Sequence, residues 1–128
     1  MIKGIVGWTD LTSEDVDKNI KRLKNLSDRK LVGIRHLIQL EQDPDWLIQP
    51  NVLRGLACLE SNELAFDCSC NPIHLKHVPF LADRFPKINF IIDHMAKVKI
   101  NGDLTSWNGD WFGNMKNAAK YPNVFCKL

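Results

Sequence analysis

The chain has 128 residues, of which 45% are hydrophobic and 25% charged, and its formal net charge is +2. That is enough for one domain burying roughly two-thirds of its unfolded surface, and so small a net charge gives no pull toward nucleic acid or an anionic membrane. No apolar run reaches the ~18 residues of a membrane-spanning helix, and the opening MIKGIVGW turns polar too soon for a signal peptide.

Ile2–Trp8 reads as a strand, with Gly4 and Gly7 marking a bend or a close approach. Thr12 or Ser13 can cap a helix over about Glu14–Leu26, whose Val16, Ile20, Leu23 and Leu26 form one apolar stripe. The basic residues on its other face, Lys18, Lys21, Arg22 and Lys24, read as a solvated surface. Leu31–Arg35 is a second strand, followed by His36. Gln39–Pro50 is polar and broken by Pro44 and Pro50, so it reads as a long loop with a short turn at Asp45–Ile48. Asn51 can cap a helix over Val52–Ser61 that buries Val52, Leu53, Leu56, Ala57 and Leu59.

Leu64–Ser69 is a third strand, interrupted by Asp67. Pro72 opens a helix that Phe85-Pro86 ends and that Pro79 bends or divides. Ile88–Ile92 is a fourth strand, ending abruptly in Asp93-His94 with Lys97 three residues on. After a loop, Met95–Thr105, a helix over about Ser106–Lys120 carries Trp107, Trp111, Met115, Ala118 and Ala119 on its buried side. Val124–Leu128 is a fifth strand.

The four cysteines are Cys58, Cys68, Cys70 and Cys126. One residue between Cys68 and Cys70 is too few for a zinc clamp, and there is no CxxC pair. Reduced, mostly buried thiols of a cytoplasmic protein are expected.

The order is therefore β-α-β-α-β-α-β-α-β in a single domain over residues 1–128, with a strand roughly every 30 residues. Such alternation gives parallel strands and right-handed crossovers. Two architectures fit: a complete open doubly wound five-stranded sheet, or part of a (β/α)8 barrel of about 250 residues. Length alone favours the open sheet.

Strand ends carry ionisable groups that apolar strands do not need: Arg35-His36, Asp67, Asp93-His94 and Lys127. Buried charges are costly unless paired, so their recurrence at carboxyl ends suggests a polar cavity. Each also has a plain structural role open to it, such as an Arg35–Asp67 pair or Asp93 capping a turn. A non-catalytic small-molecule-binding domain is the other functional class these residues allow.

The series VGWTDL (6–11), LVGIRH (31–36), DPDWL (43–47), LAFD (64–67), NFIIDHMAK (89–97) and PNVFCKL (122–128) resembles the lactonase-type branch of the amidohydrolase superfamily, which includes sugar-lactone and pyrone-dicarboxylate lactonases. The resemblance runs along essentially the whole chain. It implies a (β/α)8 barrel, with this chain supplying about strands two to six. It implies a hydrolase acting on a lactone or carboxylate substrate. It gives Arg35, His36, Asp67, Lys97 and Lys127 substrate-binding roles. His94 becomes the fifth-strand histidine that polarises the scissile carbonyl or binds a divalent metal such as Zn2+ or Mn2+. The family's HxH pair and water-activating eighth-strand aspartate have no counterpart among these residues, and Met95-Ala96 and Val98 replace the usual small residue and proline of the fifth-strand loop. The chain thus reads as a barrel fragment, inactive and metal-free by itself, with open sheet edges that invite self-association.

Overall fold

The structure, a computed structural model, describes residues 1–100 and 109–128. Five strands alternate with helices: β1 (Ile5–Gly7), α1 (Val16–Leu26), β2 (Leu31–His36), α2 (Pro50–Ser61), β3 (Ala65–Cys68), α3 (Val78–Arg84), β4 (Phe90–Ile92), α4 (Trp111–Ala118) and β5 (Val124–Cys126). All neighbours are parallel and lie in sequence order β1-β2-β3-β4-β5. A doubly wound sheet reverses its strand order at a switch point. This sheet does not, which rules out the open-sheet architecture that length favoured and matches successive strands of a barrel wall.

Pleating sends alternate residues to opposite faces. Ile34, Phe66, Phe90 and Val124 are in register on one face. The first three are fully buried, with Val124 packed against their cluster. Phe66 and Phe90 meet edge to face, 6.3 Å apart at 88°. Helices cover this face through Val16, Ile20, Val52, Leu56, Leu59, Leu81 and Ala118. The next row, Arg35, Asp67, Ile91 and Phe125, points the other way. There Phe125 is 51% exposed.

An irregularity in β2 sets this alternation. Ile5 lies opposite Leu31 but Val6 lies opposite Gly33, so Val32 is an extra residue. Leu31 and Ile34, three apart, consequently reach the same side, where both side chains approach Gly7. Val32 is left half-exposed.

Several local expectations are corrected. α1 begins at Val16, two residues later than its sequence suggests, because residues 11–15 form turns. In those turns Asp10 accepts from Thr12 and Ser13 accepts from the Asp15 amide, so neither hydroxyl caps the helix. Pro50 is not a breaker but stands at the head of α2, ahead of Asn51, where its missing N–H costs nothing. Leu26, Ala57 and Ala119 point to solvent. Gly55 in α2 packs so close to Leu11 that a Cβ would collide with the Leu11 carbonyl. Pro79 does divide its helix: a 3-10 turn over Pro72–His77 precedes α3. The Gln39–Pro50 loop holds short 3-10 turns at Ile38–Leu40 and Trp46–Ile48. The start expected for the last helix, with Trp107, lies outside the described residues.

Below the sheet, the buried Asn123 amide donates to the carbonyls of Ala82, Phe85 and Ile88, joining the ends of α3, β4 and β5.

Candidate active site

Four charged side chains from four strand ends meet at the carboxyl rim. Arg35 sits near the end of β2, Asp67 within β3, Asp93 directly after β4 and Lys127 directly after β5. Asp67 Oδ2 accepts from Arg35 at 3.0 Å and from Lys127 Nζ at 2.6 Å. Asp93 lies 3.0 Å from Arg35 Nε and 3.1 Å from Lys127 Nζ. Each cation thus touches both anions, and the quartet is charge-balanced. The carboxylate side chains are 3% and 0% exposed, the cations 41% and 43%. Buried acid with half-exposed base is the arrangement in which burial of the anions is offset by pairing while the donors remain in reach of a ligand.

The backbone holds this geometry. The Lys127 amide donates to Ile92 and the Met95 amide to Lys127, so the β4 and β5 ends stay laddered past their last strand residues. Hydrogen bonding to Asp67 raises the Lys127 pKa above its ordinary value, with Asp93 adding to the effect. Asp93 makes no well-aligned hydrogen bond to either cation through its two oxygens. It acts as a buried countercharge.

The other expected site residues lie around this quartet rather than in it. His36, next to Arg35 on a pleated strand, points the opposite way. Its ring stacks flat on Trp46, 4.2 Å away at 8°, with Trp8 6.5 Å distant on the rim. Its Nε2 contacts Glu41 Oε1 at 2.6 Å. His94 is exposed. It starts a run of left-handed residues, His94, Met95, Ala96 and Lys97, with φ of 50°, 52°, 55° and 55°. Left-handed backbone costs a residue with a Cβ about 1–2 kcal/mol, and the turn is held by the Met95 bonds, including Trp111 Nε1 donating to the Met95 carbonyl at 2.9 Å. Asp93 and His94, adjacent in sequence, therefore part company: one is sealed into the quartet and the other faces solvent. Lys97 is half-buried at the end of the turn, with its charge felt at the Cys70 thiol.

Asp93 is the member of the quartet that sequence reasoning did not place among the substrate-binding residues. Its signal was there: it is the first residue after an apolar strand, two residues beyond Ile91 in the row that holds Arg35 and Asp67, and so on the same face. Cys68 and Cys70, near this rim, are buried. Burial pushes the Cys70 thiol up to about 12 and the fully enclosed Cys68 thiol well above its usual value.

Among the described residues no group of three or more His, Cys, Asp or Glu side chains could hold a metal ion. His94 would be a single ligand where zinc takes four. No helix among those residues is long and apolar enough to cross a membrane.

Comparison with known proteins places the chain in a family. The amidohydrolase family's sequence model matches residues 1–128. An L-fucono-1,5-lactonase of Burkholderia ambifaria is 35% identical over 127 residues, which are 99% of this chain and 42% of that protein. The crystal structure of an amidohydrolase from Burkholderia multivorans with bound zinc superposes with a TM-score of 0.82 at 26% identity, over 98% of this chain and 43% of the other. A probable 2-pyrone-4,6-dicarboxylic acid hydrolase from Acinetobacter baumannii with citric acid bound shares the fold, with a TM-score of 0.62 at 19% identity, over 88% and 39% of the two chains. The chain thus spans well under half the length of these relatives, and its five ordered parallel strands are part of their (β/α)8 barrel. Matched along its whole length, this chain belongs to the amidohydrolase family.

Proposed function

We propose that these residues are the strand-two-to-six portion of an enzyme that hydrolyses a lactone, either a sugar lactone or a related cyclic ester. The observation that carries this reading is the quartet of Arg35, Asp67, Asp93 and Lys127 at the carboxyl ends of four parallel strands, in a chain 35% identical to an L-fucono-1,5-lactonase. Opening a lactone requires water to add to the ester carbonyl, the charge developing on its oxygen to be stabilised, and the ring oxygen to leave with a proton. Arg35 and Lys127 would direct half-exposed donors at the ligand's hydroxyl or carboxylate oxygens, and Asp67 would hold both donors in place. His36 and Lys97 would flank the bound ligand. His94, exposed on the same rim, would donate to the carbonyl oxygen.

In a metal-dependent full-length enzyme His94 would instead be one ligand of a Zn2+ or Mn2+ ion, which would supply the polarisation of that carbonyl, with the other ligands drawn from outside the described residues. The described residues do not form such a site, so the roles given to them do not pass through a metal. By itself the chain is expected to bind no metal tightly and to turn over little or nothing, because its 128 residues offer no HxH pair and no counterpart of the eighth-strand aspartate. Its four unpaired cysteines suit a reducing cytoplasm. β1 and β5 lie at the sheet edges, which favours pairing with a second copy. Sedimentation at several concentrations reads this directly, and a monomer throughout would argue against it.

The functional test is a panel of sugar and aromatic lactones, with and without Zn2+ or Mn2+. The chain alone should stay at background. Turnover lost with His94→Ala would overturn the inactivity of the chain. A folded chimera that supplies the remaining strands from the Burkholderia lactonase should gain turnover and lose it with His94→Ala. If that chimera hydrolyses no lactone, the functional reading fails.

A further inference from the structure

Between β2 and α2 the chain crosses the carboxyl rim. Ile38 and Leu47 are fully buried and Trp46 nearly so, and these three pin the crossing at both ends. The stretch between them is different. Leu40, Gln42, Asp43 and Pro44 are exposed, and no side chain from residues 40–45 belongs to the apolar core.

Two histidines from outside the stretch fasten it. His36, at the end of β2, contacts Glu41 Oε1 through Nε2 at 2.6 Å. His77, at the end of the 3-10 turn before α3, contacts Asp45 Oδ1 through Nε2 at 2.8 Å. Lys76 reaches the same Asp45 oxygen at 2.8 Å. Both histidine side chains are near-buried, 10% and 12% exposed, whereas the carboxylates are 33% and 50% exposed. The more enclosed partner in each pair is therefore the imidazole, and the carboxylate belongs to the exposed segment.

We propose that residues 40–45 are a strap across the rim, clasped by the His36–Glu41 and His77–Asp45 pairs, that tightens when the imidazoles are protonated and slackens when they are neutral. A neutral imidazole gives the carboxylate one hydrogen bond, and a protonated one adds a full countercharge. Histidine is the side chain whose ordinary titration falls in the physiological range.

The surroundings set the size of the effect. His36 faces Glu41, the charge of Asp10 after β1, and the Trp8 and Trp46 rings. Its buried Nδ1 has no partner, so protonation there gains electrostatic attraction and no second hydrogen bond. His77 faces Asp45, with the charges of Lys76 and His74 nearby. Lys76 foremost, with His77 after it, keeps the Asp45 carboxyl below its ordinary range. That carboxylate therefore remains charged through mild acid, and Lys76 retains it when His77 becomes neutral, which limits slackening at that end. Use of the strap to gate substrate rests on the proposed lactone hydrolysis. The clasp itself does not, since it can be read without substrate or turnover.

Amide hydrogen exchange of the 128-residue chain at pH 5.5 and pH 8.0, each corrected for intrinsic exchange, reads the strap directly. Protection of the hydrogen-bonded Leu40, Glu41 and Asp45 amides should fall about threefold at the higher pH, the size of effect expected for partly exposed ion pairs, while the amides of β2 and β3 stay unchanged. His36→Gln with His77→Gln keeps donors but removes the titration, and should make the strap's protection independent of pH. Equal protection at both pH values in the native chain, or a pH dependence that survives in a folded double variant, would overturn the proposal. Should the double variant not fold, NMR titration of the native chain decides. The Glu41 and Asp45 amide shifts must then follow the His36 and His77 imidazole midpoints, and failure to do so sinks the clasp.

Discussion

Two adjacent rows of the same sheet have opposite characters. Ile34, Phe66 and Phe90 are fully enclosed against the helices, while Arg35, Asp67, Ile91 and Phe125, one residue further along each strand, present charge and half-exposed apolar surface. The first row is held by loss of contact with water, which has no direction. The second is held through Arg35 and Asp67, which with Asp93 and Lys127 make four charges whose positions must agree. A chain that is part of a barrel can therefore hold a firm helix-covered layer while its other face stays open for chemistry.

The sharpest way to break the contrast is Phe66→Ala. It removes a fully buried ring and its edge-to-face contact with Phe90, and should cost about 3–5 kcal/mol in denaturant unfolding. Asp93→Ala should come next, at about 2 kcal/mol, because it leaves Arg35 and Lys127 sharing a single carboxylate; their partial exposure keeps the loss below that of a wholly buried pair. The decisive comparison is salt: the Asp93→Ala deficit should shrink in 1 M NaCl and the Phe66→Ala deficit should not. Lys127→Met should cost less, about 0.5–1 kcal/mol after solvent screening. Since the Lys127 pKa is raised in the folded chain, its contribution is complete below the ordinary lysine value and is lost as pH rises through the folded one. The native-minus-variant difference in Tm should be flat from pH 6 to 9 and close above about pH 10.5. Phe125→Gln, on the open face, should change stability by under about 0.5 kcal/mol; a loss as large as that of Phe66→Ala would mean the two rows are not distinct.

The architecture was legible because alternation is written in local periodicity. Apolar stripes at helical spacing and short β-rich runs located all five strands and most of α1 to α3. Choosing the barrel over the open sheet was beyond composition and spacing, since both give the same alternation, and there the resemblance of GIRH, DPDWL and CKL carried the decision. Helix starts were missed where several residues could cap: Thr12 and Ser13 have the right chemistry, but Asp10 and the turns around them use it. At the rim, sequence identified Arg35, Asp67 and Lys127 as charges that strands do not require. It did not separate Asp93 from His94, because the left-handed turn that divides them is carried by Met95, Ala96 and Lys97, residues with no preference for that backbone. Nor did it anticipate that His36 stacks on Trp46, a contact between positions ten apart across a loop.

The extra residue in β2 gives that strand two reading frames. Before Val32, odd-numbered Leu31 serves the core; after it, even-numbered Ile34 does, and Arg35 is released to the rim. Deleting Val32 alone would force a choice between the frames. If the start of the strand kept its place, every later side chain would change sides, with Arg35 driven among the helices and the isoleucine turned toward the cavity. One half-exposed residue outside the quartet thus decides whether the quartet can exist.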